Sequence, residues 1–265
     1  MKFEIIDFHT HPFFEQKDNI CYNKDVVSLD AQSTLDIMDK LGVSKFCGSV
    51  VSFENLKEMH ANKTEWETIL NQNQTALKLR DYYKGRYIPG IHIHPNYLDE
   101  SIKEIDKMKN LGVNLIGEIV PFLHGYSLKN NDNLDEILDY AQKQDMLVSI
   151  HTMEHIYMDE LIKKHTNLKI VMAHPGEHTD IFRHIERMKL SENCYLDLSG
   201  NGITRFGMLN RLVKEVGSER LIYGSDYPIC NPIPFLKGVV DDIYLTNLEK
   251  ENILSKNAKR LLKLQ

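Results

Sequence analysis

The chain is short of several things that would narrow its class at once. It has only four cysteines, Cys21, Cys47, Cys194 and Cys230, and no C-x-x-C pair among its 265 residues. Neither a disulfide framework nor a cysteine-built zinc site follows, and reduced, partly buried thiols are expected in a core large enough to need no staples. Positive charge is not in surplus: 32 Lys and Arg against 38 Asp and Glu leave −6 with histidine neutral. Such a surface repels phosphate backbones and anionic lipid unless basic residues cluster. They are dispersed, and Lys256-Asn257-Ala258-Lys259-Arg260 reads as one face of a helix. No nucleic-acid partner and no membrane partner is therefore expected. Apolar runs stop at about ten residues, half of what a bilayer span requires. The opening Met1-Lys2-Phe3-Glu4-Ile5-Ile6-Asp7 carries acids where a secretion signal needs an apolar stretch, so a cytoplasmic location is expected. A G-x-S-x-G elbow, a phosphate-binding G-x-x-x-x-G-K-[ST] loop and a G-x-G-x-x-G turn after a strand are all missing. Serine-elbow, P-loop and dinucleotide chemistries lose their usual signatures.

What is present is a regular alternation. Short runs rich in Val, Ile and Phe at Phe3–Phe8, Lys45–Val51, Tyr87–Ile93, Asn114–Ile119, Leu147–Ile150, Lys169–Ala173, Cys194–Leu198 and Leu221–Tyr223 read as strands. Between them lie stretches of helical period, at Ser33–Leu41, within Asn55–Tyr83, and at Tyr97–Leu111, Leu134–Gln144, Asp180–Met188, Met208–Val216 and Leu248–Leu264. Leu98, Ile102, Ile105, Met108 and Leu111 form one buried stripe on such a helix. Eight units of roughly 33 residues match a single (β/α)8 TIM barrel, one domain over residues 1–265. An open doubly wound sheet is the competing architecture, but it rarely uses eight units.

Histidine is the unusual entry in the composition, with 12 copies. Many fall at the carboxyl ends of the predicted strands, where barrel enzymes build their sites. Strand one ends in His9-Thr10-His11, strand three in His92-Ile93-His94, strand four in Gly117-Glu118, strand five in His151, strand six in His174 and strand eight in Ser225-Asp226. In an H-x-H on a strand both imidazoles share a face, because side chains alternate with period two. Two neutral imidazoles converging with a third histidine and a carboxylate suit Zn2+ or a similar transition ion.

The set His9-Thr10-His11, His151, His174 and Gly224-Ser225-Asp226-Tyr227-Pro228 resembles the amidohydrolase superfamily of metal-dependent barrels. Ala173-His174-Pro175-Gly176 and Asn257-Ala258-Lys259-Arg260-Leu261-Leu262 are similar to its amidohydrolase-related branch, which contains both hydrolases and aminocarboxymuconate semialdehyde decarboxylase. The resemblance covers essentially the whole chain. It implies His9, His11 and His151 as metal ligands, with Asp226 as a further ligand that also takes a proton from the attacking water. Metal coordination would bring that water's pKa towards roughly 7. The bland alternative for Asp226 is a turn cap before Pro228. His174 is either a ligand of a second ion or an acid/base group beside the reacting atoms, against a buried histidine satisfied by backbone. Glu118 stands where many superfamily members carry a carbamylated lysine and looks more like the bridging glutamate of TatD-type nucleases. Bridging two ions, contacting substrate and forming a buried salt bridge stay open for it.

His92, His94, His124 and Tyr227 are expected to line the substrate pocket, binding a carboxylate or another polar group. Phe13, Phe14, Phe122 and Tyr126 are candidate pocket walls. His60, His155, His165 and His184 fall on expected helices and read as solvated surface residues. Trp66 reads as core. The leading expectation is a metal-dependent hydrolase of an amide, ester or lactone bond in a small molecule, with one or two divalent ions, Zn2+ first and Mn2+ second. A metal-dependent decarboxylase of a small unsaturated or aromatic acid is the alternative, and that resemblance suggests a homodimer. A TatD-like nuclease is disfavoured by the −6 charge.

Overall fold

The computed structural model describes residues 3–23, 25–51 and 65–264. Eight strands alternate with helices: β1 (Ile5–Asp7), β2 (Val43–Ser49), β3 (Tyr87–Ile91), β4 (Leu115–Ile119), β5 (Leu147–Ile150), β6 (Lys169–Met172), β7 (Cys194–Asp197) and β8 (Leu221–Ile222). They pair in parallel and in sequence order, β1 to β8. The circle closes just beyond the shortest strand. Phe8 N–H donates to Tyr223 O at 2.9 Å, Asp226 N–H to His9 O at 2.8 Å, and His11 N–H to Tyr227 O at 2.7 Å, with Thr10 and Tyr227 forming a parallel bridge. The single (β/α)8 barrel expected from the eight-fold alternation is therefore the fold.

The described helices are α1 (Ala31–Leu41), α2 (Glu65–Tyr82), α3 (Leu98–Asn110), α4 (Asp132–Lys143), α5 (His155–Lys164), α6 (His178–Leu190), α7 (Met208–Val216), α8 (Pro232–Val240), α9 (Asn247–Glu251) and α10 (Asn257–Leu262). Residues 55–64 of the helix expected within Asn55–Tyr83 lie outside the described residues, His60 among them. The helix expected at Leu248–Leu264 is interrupted by a π-helical turn at Asn252–Lys256 between α9 and α10. α8 was not expected at all. Its two prolines, Pro232 and Pro234, sit in the first turn, where no N–H is needed, and Asn231 caps it by accepting from Ile233 N–H.

Two apolar clusters hold the barrel. The larger packs strand residues such as Ile91, Ile116, Val148 and Leu196 against helix residues such as Ile105, Ile137 and Ile185. The smaller draws Ile6, Cys47, Leu115, Leu147, Val171, Tyr195 and Ile222 from seven strands, with Ile88 of β3 packed against them. A cluster with one residue from every strand lies inside the barrel, as side-chain alternation requires. Ala258, Leu261 and Leu262 of α10 join it. All four cysteines are free, with Cys47 and Cys194 buried.

The expectation that His165 and His184 are solvated is overturned. His165 is buried with its ring nitrogens 2.8 Å from Asp135 Oδ1 and 3.0 Å from Asp139 Oδ1, a carboxylate pair one turn apart on α4. His184 is buried with Nδ1 3.3 Å from Met172 Sδ of β6. Trp66 is only half-buried and stacks on Tyr97 at 5.8 Å. Phe122 is exposed.

Candidate metal centre

His9 and His11 follow β1 directly, and their two-residue spacing turns both rings to the same side, Nε2 to Nε2 at 3.2 Å. Their outer nitrogens are held from behind. His9 Nδ1 lies 3.0 Å from Asp197 Oδ2, and His11 Nδ1 lies 3.0 Å from the Ser49 carbonyl. Facing them are two carboxylates. Glu118 Oε1 stands 3.6 Å from His9 Nε2, 3.3 Å from His151 Nδ1 and 3.5 Å from His174 Nε2, while its Oε2 is 3.6 Å from His11 Nε2. Asp226 Oδ1 is 3.7 Å from His9 Nε2 and 3.4 Å from His11 Nε2.

The backbone that delivers these groups is unusual. His174 and Asp226 both take positive φ, 64° and 61°, a region sparsely used by side chains other than glycine and concentrated at functional sites. Before Glu118, Gly117 has φ 106° and room for no Cβ, which would stand 2.3 Å from the Ser149 carbonyl.

The donor set fits a cation on the structure's own terms. Glu118 Oε1 and Asp226 Oδ1 are buried without any hydrogen-bond partner, an arrangement that costs free energy unless a positive group faces them. Two overlapping groups, His9–His11–Asp226 and His9–Glu118–His174, each bring their ligand atoms within 4.8 Å of one another. The two groups overlap at His9, whose Nδ1 is already engaged by Asp197. The charged partners of Glu118 are all histidines, which removes a salt bridge to Lys or Arg among the described residues.

Electrostatics point the same way. Burial disfavours a charged His9, but the Glu118 and Asp197 carboxylates outweigh it and hold its pKa well above the usual imidazole value. Burial alone would raise Glu118; the charge of His9 and the nearby His151 ring bring it well below the ordinary carboxylate range. Asp226 is likewise lowered against its burial, by His11 and His9. Burial keeps His174 below the ordinary value, with the charge on His9 adding to it. His151 is raised because Glu118 overcomes desolvation.

The expected pocket residues separate into two kinds. His92 and His124 are buried with ring centroids 4.9 Å apart, and the Nδ1 of each lacks a partner. Burial lowers His92 to about 4 and His124 well below its usual value. His94 and Tyr227 are held within the wall instead. His94 Nε2 lies 3.0 Å from the His124 carbonyl and its Nδ1 accepts from Asn96 N–H. The Tyr227 hydroxyl is 3.2 Å from Thr34 Oγ1. Two residues that the sequence reading passed over stand behind the centre: Asp197 and Ser199. Their signal was available as an Asp-x-Ser at the end of the seventh strand, with the same two-residue spacing as the histidine pair.

An eight-stranded parallel barrel with imidazoles and carboxylates converging at the carboxyl ends of its strands defines a metal-dependent barrel enzyme. The amidohydrolase family's sequence profile (Amidohydro_2) matches residues 6–264, and the chain belongs to that family. Solved structures agree in fold. A 2,6-dihydroxybenzoate decarboxylase from Rhizobium superposes with a TM-score of 0.76 at 14% identity, covering 99% of each chain. A dihydroxybenzoic acid decarboxylase from Polaromonas sp. JS666, with bound manganese, gives 0.74 at 14% identity, covering 99% of this chain and 97% of that one. A probable 2-pyrone-4,6-dicarboxylic acid hydrolase from Acinetobacter baumannii gives 0.69 at 17% identity, covering 98% and 100%. The family and its neighbours hold both decarboxylases and hydrolases, metal-dependent enzymes on one barrel.

Proposed function

We propose that the protein hydrolyses an amide, ester or lactone bond of a small molecule with the help of one divalent ion. His9, His11 and Asp226 would hold the ion, with Glu118 and His174 beside them and His151 reaching the group through Glu118. Imidazole and carboxylate donors suit Zn2+, with Mn2+ as the alternative carried by the structural neighbours. When bound, such an ion supplies Lewis acidity towards water and a carbonyl oxygen.

The observation that carries hydrolysis is the buried Asp226 carboxylate, with one oxygen lacking a partner and facing the His9 and His11 rings. The His11 and His9 rings lower the Asp226 pKa against its burial, and burial lowers that of His174. Both are proton acceptors at neutral pH. Attack by water needs an acceptor for its proton, and Asp226 then returns that proton to the leaving group. Loss of CO2 needs a donor to carbon, so a proton must first be captured at Asp226 or His174. Decarboxylation is the second reading, supported by the fold shared with the two benzoate decarboxylases. A small-molecule substrate, one domain over 1–265, a cytoplasmic location and a homodimer accompany the proposal.

The test is elemental analysis, followed by removal and return of the metal during assay against amides, esters, lactones and aromatic acids. One equivalent of ion and metal-dependent hydrolysis are expected. Failure to take up any ion would sink the reading, and metal-dependent CO2 release without hydrolysis would select the decarboxylase.

A further inference from the structure

Ser199 follows β7 and stands among three groups behind the centre. Its Oγ lies 2.9 Å from His174 Nδ1 and 3.2 Å from His9 Nδ1, and it makes a short hydrogen bond to Asp197 Oδ1. A hydroxyl has one proton to give. His9 Nδ1 donates to Asp197 Oδ2 and cannot accept; of the two acceptors left, the carboxylate wins, because a bond to an ionised oxygen is roughly twice as strong as one between neutral groups. His9 Nδ1 is closer to Asp197 Oδ2, at 3.0 Å, than to the serine. The Ser199 lone pairs are then left for His174, whose Nδ1 must supply the hydrogen. His174 Nε2 is consequently bare, and it faces Glu118 Oε1 at 3.5 Å.

We propose that Ser199 is a positioning residue that fixes His174 in the Nδ1–H tautomer, keeping its Nε2 lone pair turned to the cation-binding centre. The inference rests on the metal-dependent reading above. It assigns Asp197 two tasks through its two oxygens: Oδ2 orients His9, and Oδ1 orients Ser199, which orients His174. One carboxylate thereby sets the hydrogen-bonding direction of two imidazoles on different strands. Without the hydroxyl, the nearest partner for a His174 proton is Glu118 Oε1. The ring then carries its hydrogen on Nε2, on the atom that should offer a lone pair to a cation.

The tautomer can be read directly from two-bond 1H–15N correlations of the histidine rings in metal-free protein, with His174→Gln used to assign the His174 peaks. Wild type is expected to show His174 with its proton on Nδ1, and Ser199→Ala to show it on Nε2. Competition for Zn2+ with a chromophoric chelator should show a tenfold to hundredfold weaker affinity in Ser199→Ala, the usual loss on removing a group that orients a ligand. A wild-type His174 protonated on Nε2 overturns the proposal. So does a Ser199→Ala protein whose tautomer and Zn2+ affinity both match wild type. If that variant does not fold, the wild-type spectrum alone decides. Absence of Zn2+ binding by wild type would defeat the functional reading instead, and the tautomer result would still stand.

Discussion

His9 Nδ1 lies 3.0 Å from Asp197 Oδ2, tying a histidine just past the first strand to a buried carboxylate at the end of the seventh. Carboxylates behind ligating imidazoles fix the ring and raise its basicity. Asp197→Asn keeps the shape of the side chain and removes its charge. It should lower divalent-ion affinity about tenfold to hundredfold, the range found for groups that support a ligand. Chelator competition checks this against wild type, with circular dichroism confirming that the barrel remains folded. Undiminished affinity would remove Asp197 from the site.

Metal uptake should also release a proton. Glu118 and Asp197 hold the His9 pKa well above 6.5 despite its burial, so the metal-free ring is charged at neutral pH. A ligand must lose that proton before it offers Nε2 to an ion. Affinity should therefore rise with pH by up to about tenfold per unit while pH stays below the folded pKa of His9, then level off. Calorimetric titration at pH 7 in buffers of differing ionisation enthalpy should show close to one proton released per ion. Heats that do not vary with buffer would contradict the assignment.

Much of this was legible in the chain because its signals are local. Alternation of short apolar runs and helical stretches gave eight units, and period two within His9-Thr10-His11 put two rings on one face. The parts that were missed depend on contacts distant in sequence. His165 looks like a surface residue at a helix end until α4 brings Asp135 and Asp139 against it. His184 was recoverable: Ile181, His184, Ile185 and Met188 follow the 3–4 spacing of a buried face, and all four are buried. Neither the four histidines around Glu118 nor the contacts of His94 and Tyr227 follow from spacing. Each depends on which partner atom the barrel places beside it.

His184 makes stability sensitive to acid. Burial, reinforced by the charge of Arg187, lowers it to about 3, against 6.5 in an unfolded chain. Between these values the unfolded chain binds the proton and the folded one does not. Stability is therefore complete above pH 6.5 and declines as pH falls towards 3, at up to about 1.4 kcal/mol per pH unit from this group. His184→Met offers an apolar side chain of similar reach. Urea midpoints from pH 7 to 4 should fall less steeply for the variant than for wild type. Parallel slopes would show that other groups carry the acid dependence.

Gly200 tests the rigidity of the His174 support. Its φ is +69°, and a Cβ there would stand 2.6 Å from His174 Nδ1. An alanine in this left-handed conformation costs about 1–2 kcal/mol, and a contact so short also forces the imidazole to move. For a chain near this size, each kcal/mol lowers Tm by about 2–4 °C, so backbone strain in Gly200→Ala predicts a drop of roughly 2–8 °C. The ring displacement predicts more than lost stability: metal-dependent turnover measured well below the new Tm should fall at least tenfold, because a catalytic group displaced by about 1 Å can lose a hundredfold. Calorimetry and steady-state assay of the same preparation separate the two effects. A variant with lowered Tm and wild-type turnover would place His174 outside the reaction.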